Sequence, residues 1–146
     1  MSLPLILITG ATGFIGSHVV HQALSAGHKV RLSVRKESQI DTLRELFSEH
    51  SSNLDFAIIS DFTGSDRFSK ALEDVTYVFH LASPMPGKGS NFQTDYLAPA
   101  MQGTLALLNA AKEVDTIKRV VIVSSIAAFM PLGTLATGSK DTIKGM

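Results

Sequence analysis

T-G-A-T-G-F-I-G, residues 9–16, separates a short apolar run from an amphipathic segment. The apolar run, Leu3 to Thr9, contains two isoleucines and predicts a strand that is buried on both faces. After the three glycines, apolar residues recur at helical spacing, and Gly27 then suits a helix C-terminus. These apolar residues are Ile15, Val19, Ala23 and Ala26. The stretch is therefore predicted to be the tight turn of a strand–turn–helix unit.

The three glycines of this turn have the spacing G-x-x-G-x-x-G, which in this context is typical of a dinucleotide site. Gly10 permits the tight turn, Gly13 lets the backbone approach a pyrophosphate, and Gly16 lets the helix pack closely on the sheet. The N-terminal amides and the dipole of the helix favour the anion. The alternative is an ordinary structural turn. The predicted cofactor contacts in this region are Thr9, Gly10, Thr12, Gly13, Phe14, Ile15 and Gly16.

Apolar and amphipathic segments continue to alternate along the chain. Further strands are predicted at residues 28–34, 54–60, 75–81 and 119–124, and further helices at residues 40–50, 66–74 and 97–112. Such alternation predicts an α/β fold, in which helices flank both faces of a parallel sheet. We expect a Rossmann-like doubly wound sheet of about five strands in the order 3-2-1-4-5. The ligand crevice of such a sheet lies where the order reverses, between strands one and four.

The fifth strand is the last regular element that the sequence predicts. Residues 1–130 are expected to form an NAD(P)-binding domain, and residues 131–146 are expected to form an irregular tail, because they are rich in Gly, Thr, Ser and Lys and show no period. A complete doubly wound sheet needs another helix and strand after the fifth strand. We therefore expect the domain to be truncated after strand five.

Composition excludes several classes of protein. Thirteen Lys and Arg balance thirteen Asp and Glu, which argues against a nucleic-acid partner, because such proteins carry a basic excess on one face. The chain has no cysteine, so a disulfide scaffold and a zinc–thiolate site are excluded and a reducing, cytoplasmic location is expected. Glycine and hydroxyl residues interrupt the uncharged stretches 1–28 and 120–139, so no membrane segment is expected. His18 and His21 lie close together, but no carboxylate completes a metal site with them.

The glycine turn also resembles that of the extended short-chain dehydrogenase/reductases, which include the NAD-dependent epimerase/dehydratase family. Three further segments resemble one branch of that group, the dihydroflavonol reductases, cinnamoyl-CoA reductases and fungal ketone/aldehyde reductases. These segments are V-R-L-S-V-R, V-F-H-L-A-S-P and V-V-I-V-S-S-I-A-A. The resemblance extends from Leu5 to about Phe129 and implies an oxidoreductase that uses a nicotinamide cofactor.

The residues after the second strand bear on which nicotinamide cofactor is bound. NAD-binding proteins of this type carry an acidic residue about 20 positions beyond the glycines, where it bonds the ribose 2′-hydroxyl. This chain has Arg35 there, followed by Lys36, and an arginine can pair with a 2′-phosphate through two hydrogen bonds. The alternative is that both are solvated loop charges, and the nearby Glu37 weakens their positive field. The sequence favours NADP(H) over NAD(H).

The resemblance implies further cofactor contacts at the ends of strands three and four. Asp61 and Phe62 occupy the place where the family has an acidic residue near the adenine amine, although Asp61 could equally be a turn or helix-capping residue. Leu81, Ala82 and Ser83 occupy the segment that passes beside the dinucleotide in the family. The histidine before them, His80, is interpreted as a residue at the edge of the core rather than as a ligand.

The resemblance also implies catalysis by a serine, a tyrosine and a lysine. The serine orients the carbonyl, the tyrosine donates a proton as hydride leaves the nicotinamide, and the lysine lowers the pKa of the tyrosine. Ser125 matches the family serine, with a turn or capping serine as the alternative. The Y-x-x-x-K pair is missing, because the residues four positions after Tyr77 and Tyr96 are Leu81 and Ala100. The resemblance places the tyrosine and lysine on a later helix and implies that the C-terminal substrate domain is absent as well. The 146 residues alone are therefore expected to be inactive.

These features together predict the cofactor-binding portion of an NADP(H)-dependent oxidoreductase that acts on a small ketone or aldehyde. Two alternatives remain open at this point. The first is a non-catalytic NAD(P)-binding module that senses redox state or offers a surface to a partner. The second is a fragment of a sugar epimerase or dehydratase, since the residues that separate these chemistries are not among those matched. The substrate, the oligomeric state and the direction of hydride transfer are not determined by the sequence.

Overall fold

The computed structural model describes residues 3–84 and 90–125. The predicted tail at residues 131–146 lies outside the described residues. The five strands are β1 (Leu5–Thr9), β2 (Lys29–Val34), β3 (Leu54–Ile58), β4 (Val75–His80) and β5 (Arg119–Ile122). The α-helices are α1 (Phe14–Ser25), α2 (Ser38–Leu46), α3 (Asp66–Ser69) and α4 (Ala98–Lys112). Short 3-10 segments lie at Ser48–Asn53 and Lys70–Leu72, and a π-helical turn at Gln93–Leu97 leads into α4.

The strands form one parallel sheet in the order β3-β2-β1-β4-β5. This arrangement confirms the predicted Rossmann-like, doubly wound topology. The chain runs outward from β1 to β3, returns across the sheet to β4 and then continues outward to β5. The carboxyl ends of β1 and β4 therefore lie side by side at the point where the strand order reverses, and the loops that follow them border one crevice.

The central strand β1 is buried on both faces, as its unbroken apolar pattern predicts. Leu7 belongs to the core on one face, which the sheet shares with α3 and α4. Ile6 and Ile8 belong to the core on the other face, which includes residues of α1 and α2. Because successive side chains of a strand point to opposite faces, one five-residue strand contributes to both cores.

An ion pair at the edge of the sheet joins the outer strand β3 to its neighbour β2. The guanidinium of Arg31, on β2, donates to Oδ2 of Asp55 on β3 at 2.6 Å. It also donates to the carbonyl oxygens of Ala71 and Glu73 at 3.0 and 2.8 Å. One side chain therefore joins two strands to the segment that precedes β4, and Arg31 is a structural residue of this fold.

The structure differs from the predicted bounds mainly at element ends. The helix predicted at residues 40–50 is α2, whose C-cap is Phe47, followed by a 3-10 segment with a kink at His50. The helix predicted from Leu97 is preceded by the π-helical turn Gln93–Leu97. Side-chain bonds from Asn91 and Asp95 to backbone N–H groups accompany that turn. Such local side-chain bonds compete with regular helix geometry, which explains the irregular start.

Candidate functional site

The glycine turn closes around the carbonyl oxygen of Gly10. The N–H of Gly13 donates to this oxygen at 3.0 Å. Gly10 itself has a φ of +75°, a backbone conformation that L side chains rarely adopt. A Cβ on Gly16 would lie 2.0 Å from the same oxygen, so the first turn of α1 can pack here only with glycine at this position. Two of the three glycines are thus required by the turn itself.

Gly13 is different, because the protein's own packing does not require a glycine there. A Cβ on Gly13 would meet the Gly10 carbonyl oxygen at 3.4 Å, an ordinary contact, and its φ of −85° suits any residue. Gly13 is the N-cap of α1, and no side chain in the described part of the chain caps that helix end. The open space therefore lies where backbone N–H groups and the helix dipole favour an anion. A pyrophosphate fits this arrangement.

The side chains of the glycine turn and of the first helical residues point largely to solvent. Phe14 is 83% exposed and Ile15 is 56% exposed. Thr12 is also exposed. If these residues contact a cofactor, their backbone groups at the helix N-terminus are the natural contacts.

Thr9 joins the end of β1 to the segment that follows β4. Its Oγ1 accepts hydrogen bonds from the backbone N–H groups of Leu81 and Ala82, each at 3.1 Å. The predicted cofactor-contacting segment Leu81–Ser83 is thereby held against the glycine turn. The approach is close, because a Cβ on Gly10 would lie 2.8 Å from the backbone nitrogen of Ala82.

The hydrogen bonds of Thr9 also determine which ring nitrogen of His80 carries the proton. Since Thr9 Oγ1 already accepts two N–H groups, its own proton is directed to His80 Nδ1, 2.9 Å away. Nδ1 is thus an acceptor, and the neutral ring carries its proton on Nε2, which faces Thr104 Oγ1 at 3.5 Å. His80 is 4% exposed, and burial lowers its pKa from the ordinary value of 6.5. His80 is a buried neutral residue beside the crevice, in agreement with its interpretation as a core-edge histidine.

We expect His80 to make the stability of the fold depend on pH below about 6.5. The unfolded chain binds a proton at the ordinary pKa of 6.5, whereas the folded chain resists protonation because the pKa of His80 is lowered. Stability is therefore lost as the pH falls from 6.5 toward the folded pKa, by up to about 1.4 kcal/mol per pH unit. Urea denaturation between pH 7 and pH 5 measures this slope.

His80→Asn keeps an acceptor for Thr9 without a titrating group, so its stability should be flatter across this range. His21→Asn is the matched control, because His21 is exposed on α1, and it should keep the wild-type slope. An unchanged slope in His80→Asn would contradict the assignment. The pKa of Asp61 is lowered from its ordinary value of 3.8 by hydrogen bonds to Thr63. Asp61 therefore affects stability only near and below pH 3.8 and does not contribute to the slope between pH 7 and pH 5.

A crevice of about 190 Å³ opens at the carboxyl ends of β2, β3 and β4 and is bounded on one side by α4. It brings together five of the residues predicted from the sequence: Arg35, Asp61, Phe62, Ala82 and Ser83. His80, Gly103 and Thr104 also line it, and sequence reasoning did not assign the last two to a site. A helical glycine facing a neighbouring loop is the signal that identifies Gly103, because a Cβ there would lie 3.2 Å from Cβ of Phe62.

Asp61 and Phe62 form one wall of this crevice. The carboxylate of Asp61 accepts hydrogen bonds from the N–H of Thr63 at 2.9 Å and from its hydroxyl at 2.8 Å, and these bonds lower the pKa of Asp61. It is therefore a turn aspartate that stays ionised, and a carboxylate retains lone pairs for a further donor such as an amine. The ring of Phe62 lies 5.2 Å from that of Phe68 and 6.1 Å from that of His80.

The two cations of the site lie on the loop between β2 and α2. Arg35 and Lys36 are both exposed, and Arg35 also lines the crevice. Their backbone N–H groups both donate to Oε1 of Gln39, at 2.9 and 3.1 Å. Glu37, which is exposed, follows them directly. The loop therefore presents two positive charges and one negative charge beside the crevice.

Ser125 is placed by the segment that follows the fifth strand. It is exposed and follows β5, whose last residue is Ile122. It is not among the residues that line the crevice described above. Tyr77 lies within β4 and Tyr96 lies in the π-helical turn, so neither tyrosine stands on a helix with a lysine four residues later. Residues after 125, where the resemblance continues to about Phe129, lie outside the described residues.

Two kinds of feature are absent from residues 3–84 and 90–125. Within these ranges no group of three or more His, Asp or Glu side chains is placed to hold a metal ion. None of the helices in the same ranges is both long enough and apolar enough to cross a membrane.

Comparisons with known proteins agree with this arrangement. The family described as NAD dependent epimerase/dehydratase matches residues 6–143. The chain is 44% identical to a ketoreductase, sphI, of Aspergillus fumigatus over 139 residues, which cover 94% of this chain and 40% of that protein. It is 39% identical to the NAD-dependent epimerase/dehydratase ALT6 of Alternaria alternata, with 86% of this chain and 38% of that protein covered.

Among solved structures, the yeast methylglyoxal/isovaleraldehyde reductase Gre2 complexed with NADPH matches with a TM-score of 0.81 and 30% identity. The match covers 88% of this chain and 39% of the Gre2 chain. This chain spans about 40% of the length of the curated relatives named above. The glycine turn, the strand order and the match over residues 6–143 together confirm the resemblance drawn from the sequence. The chain belongs to the NAD dependent epimerase/dehydratase family.

Proposed function

We propose that this chain forms the cofactor-binding portion of an NADP(H)-dependent oxidoreductase of the short-chain dehydrogenase/reductase type. The observation that carries the proposal is the open space at Gly13, which lies at the uncapped N-terminus of α1 and is not required by the protein's own packing. A dinucleotide pyrophosphate there would lie at the strand-order reversal, where α/β sheets bind ligands. The proposed cofactor-binding domain spans residues 1–130, in a reducing, cytoplasmic setting.

The adenosine half of the cofactor is assigned to the crevice beside β2 and β3. Asp61 would accept a hydrogen bond from the adenine amine, and Phe62 supplies an apolar wall. Arg35 and Lys36 would pair with a 2′-phosphate, which is the chemistry that favours NADP(H) over NAD(H). The NADPH complex of the related reductase Gre2 supports this preference.

The proposed reaction transfers a hydride from the nicotinamide to the carbonyl carbon of a ketone or aldehyde, while the carbonyl oxygen takes a proton. Ser125 is assigned the role of orienting the carbonyl. The ketoreductase and aldehyde-reductase names of relatives support this substrate class. The 146 residues contain no Y-x-x-x-K pair to supply the proton, so we propose that the chain alone binds cofactor without turnover.

The test is a titration of the chain with NADPH and, separately, with NADH. NADPH should bind more tightly, and Arg35→Glu should weaken NADPH by about tenfold or more while changing NADH less, because a charge-assisted bond contributes about 1.5–3 kcal/mol. Calorimetry or the emission of the cofactor reports binding, since the chain has no tryptophan. Lys29→Glu is the matched control, because Lys29 is exposed at the opposite end of β2.

Equal losses for Lys29→Glu and Arg35→Glu would contradict the assignment of Arg35 to the 2′-phosphate. Failure of the wild-type chain to bind either nucleotide would contradict the proposed function. Oxidation of NADPH by the chain with a ketone, abolished by Ser125→Ala, would contradict the claim that the chain alone lacks turnover.

A second candidate function is a non-catalytic module that binds NAD(P)(H) and reports redox state. The observation that favours it is the missing Y-x-x-x-K pair, since cofactor binding would then be the whole activity. A third, an epimerase or dehydratase, is favoured by the family name and by the relative ALT6. Substrate assays on a longer chain that contains these residues would distinguish the three.

A further inference from the structure

The side chain of Gln39 is bonded to the two residues that would recognise the 2′-phosphate. Its Oε1 accepts the backbone N–H of Arg35 at 2.9 Å and the backbone N–H of Lys36 at 3.1 Å. Gln39 is the second residue of α2 and is partly buried. The backbone closes the same turn in the other direction, because the N–H of Gln39 donates to the carbonyl oxygen of Lys36 at 3.1 Å.

This closed turn fixes the backbone position from which the side chain of Arg35 extends. A glutamine near a helix start that reaches back to preceding N–H groups satisfies donors that the helix cannot. Both bonds end on one oxygen, so they hold the backbone of Arg35 and Lys36 in a single conformation. The Cα–Cβ directions of the two cations are therefore set by Gln39, while their flexible ends remain free to meet a ligand.

The choice of an amide over a carboxylate at this position is informative. A glutamate would accept the same two N–H groups, but it would add a negative charge beside Arg35 and Lys36. Glutamine makes the turn without reducing the positive field, which Glu37 already weakens. A neutral acceptor therefore leaves the charges of Arg35 and Lys36 available to a neighbouring phosphate.

We infer that Gln39 is the positioning residue that makes the Arg35–Lys36 loop selective for a 2′-phosphorylated dinucleotide. This inference rests on the proposed function, because it names a determinant of cofactor choice at the same site. Gln39 acts through the backbone of the two cations, so its effect falls on the ratio of NADPH to NADH affinity more than on either affinity alone.

The experiment measures dissociation constants of the full chain for NADPH and for NADH at low and high salt. Gln39→Leu removes the acceptor, and we expect NADPH to weaken by about five- to tenfold and NADH by less than about twofold, as expected for the loss of two hydrogen bonds. Gln39→Glu keeps the acceptor and adds a charge. It should also weaken NADPH selectively, with a loss that shrinks as salt is raised, because salt screens the added charge.

Gln22→Glu is the matched control, because Gln22 is exposed on α1 about two turns beyond its N-terminus. It should change both affinities by less than about twofold, the scale of an exposed charge change remote from the site. Equal effects of Gln39→Leu on NADPH and NADH, or none on either, would overturn the inference and leave the proposed function standing. A wild-type chain that binds neither nucleotide would overturn both, and thermal unfolding of each variant confirms that the comparison is between folded proteins.

Discussion

Replacing Gly13 by alanine should abolish tight NADPH binding without unfolding the protein, whereas replacing Gly16 by alanine should destabilise the fold. Within residues 3–84 and 90–125, a Cβ at Gly13 meets only the Gly10 carbonyl oxygen, at 3.4 Å, and its φ of −85° suits alanine. We expect the free energy of unfolding of Gly13→Ala to change by less than about 0.5 kcal/mol. The added methyl group fills the proposed pyrophosphate position, so the NADPH dissociation constant should rise about thirtyfold or more, which corresponds to about 2 kcal/mol.

Gly16→Ala places a Cβ 2.0 Å from the Gly10 carbonyl oxygen, which is backbone and cannot move like the end of a side chain. Overpacking of this kind costs about 1–3 kcal/mol or more, against the roughly 1 kcal/mol that alanine contributes to a helix interior. Urea denaturation should therefore show a loss of stability for Gly16→Ala and almost none for Gly13→Ala. If Gly13→Ala bound NADPH as well as the wild type, the pyrophosphate would not lie over Gly13.

The second large effect is expected from Thr9→Val, which removes one oxygen from the centre of the site. Thr9 Oγ1 accepts the N–H groups of Leu81 and Ala82 and donates to His80, so the valine leaves three partners unsatisfied. Unmade hydrogen bonds of buried groups cost about 1–3 kcal/mol each, and we expect a total loss of about 2–4 kcal/mol after relaxation. The NADPH affinity should fall as well, because the segment Leu81–Ser83 would no longer be held against Gly10.

Amide hydrogen exchange provides the most direct measurement of this contact. The N–H groups of Leu81 and Ala82 should exchange faster in Thr9→Val than in the wild type, relative to the core amides of β1. Thr9→Ser is the control, because serine supplies the same oxygen and should preserve protection of both amides. Equal protection of these amides in Thr9→Val and the wild type would show that the hydroxyl does not hold the segment.

The sheet order was predictable because buried strands, and their alternation with helices, produce clear patterns of apolar residues in the sequence. The apolar run before Thr9 and the β-branched run of β4 both lie where they were expected, with ends that differ by one or two residues. Ends are harder to predict because capping and turn bonds compete locally with strand pairing. The π-helical turn before α4 was missed for a similar reason, since side-chain bonds at Asn91 and Asp95 leave no periodic signal.

The candidate site was predictable only in part. The glycine positions and the cations after β2 could be read from spacing, because backbone requirements repeat at fixed intervals. The bond between Thr9 and His80 joins residues 71 positions apart and depends on the adjacency of β1 and β4. The two bonds to Gln39 depend on the conformation of one turn. Neither could be predicted before the strands and turns were placed in space.

The close approach of α4 to the loop after β3 limits how far the walls of the crevice can move when a ligand binds. Gly103 lies so near Phe62 that a single added methyl group would touch its Cβ at 3.2 Å. Because glycine lets the backbone of α4 pack against Phe62, the two walls can separate or close little without breaking the packing around them. The crevice is therefore pre-organised in the unliganded chain, and a nucleotide that enters it loses its own conformational entropy while the protein loses little.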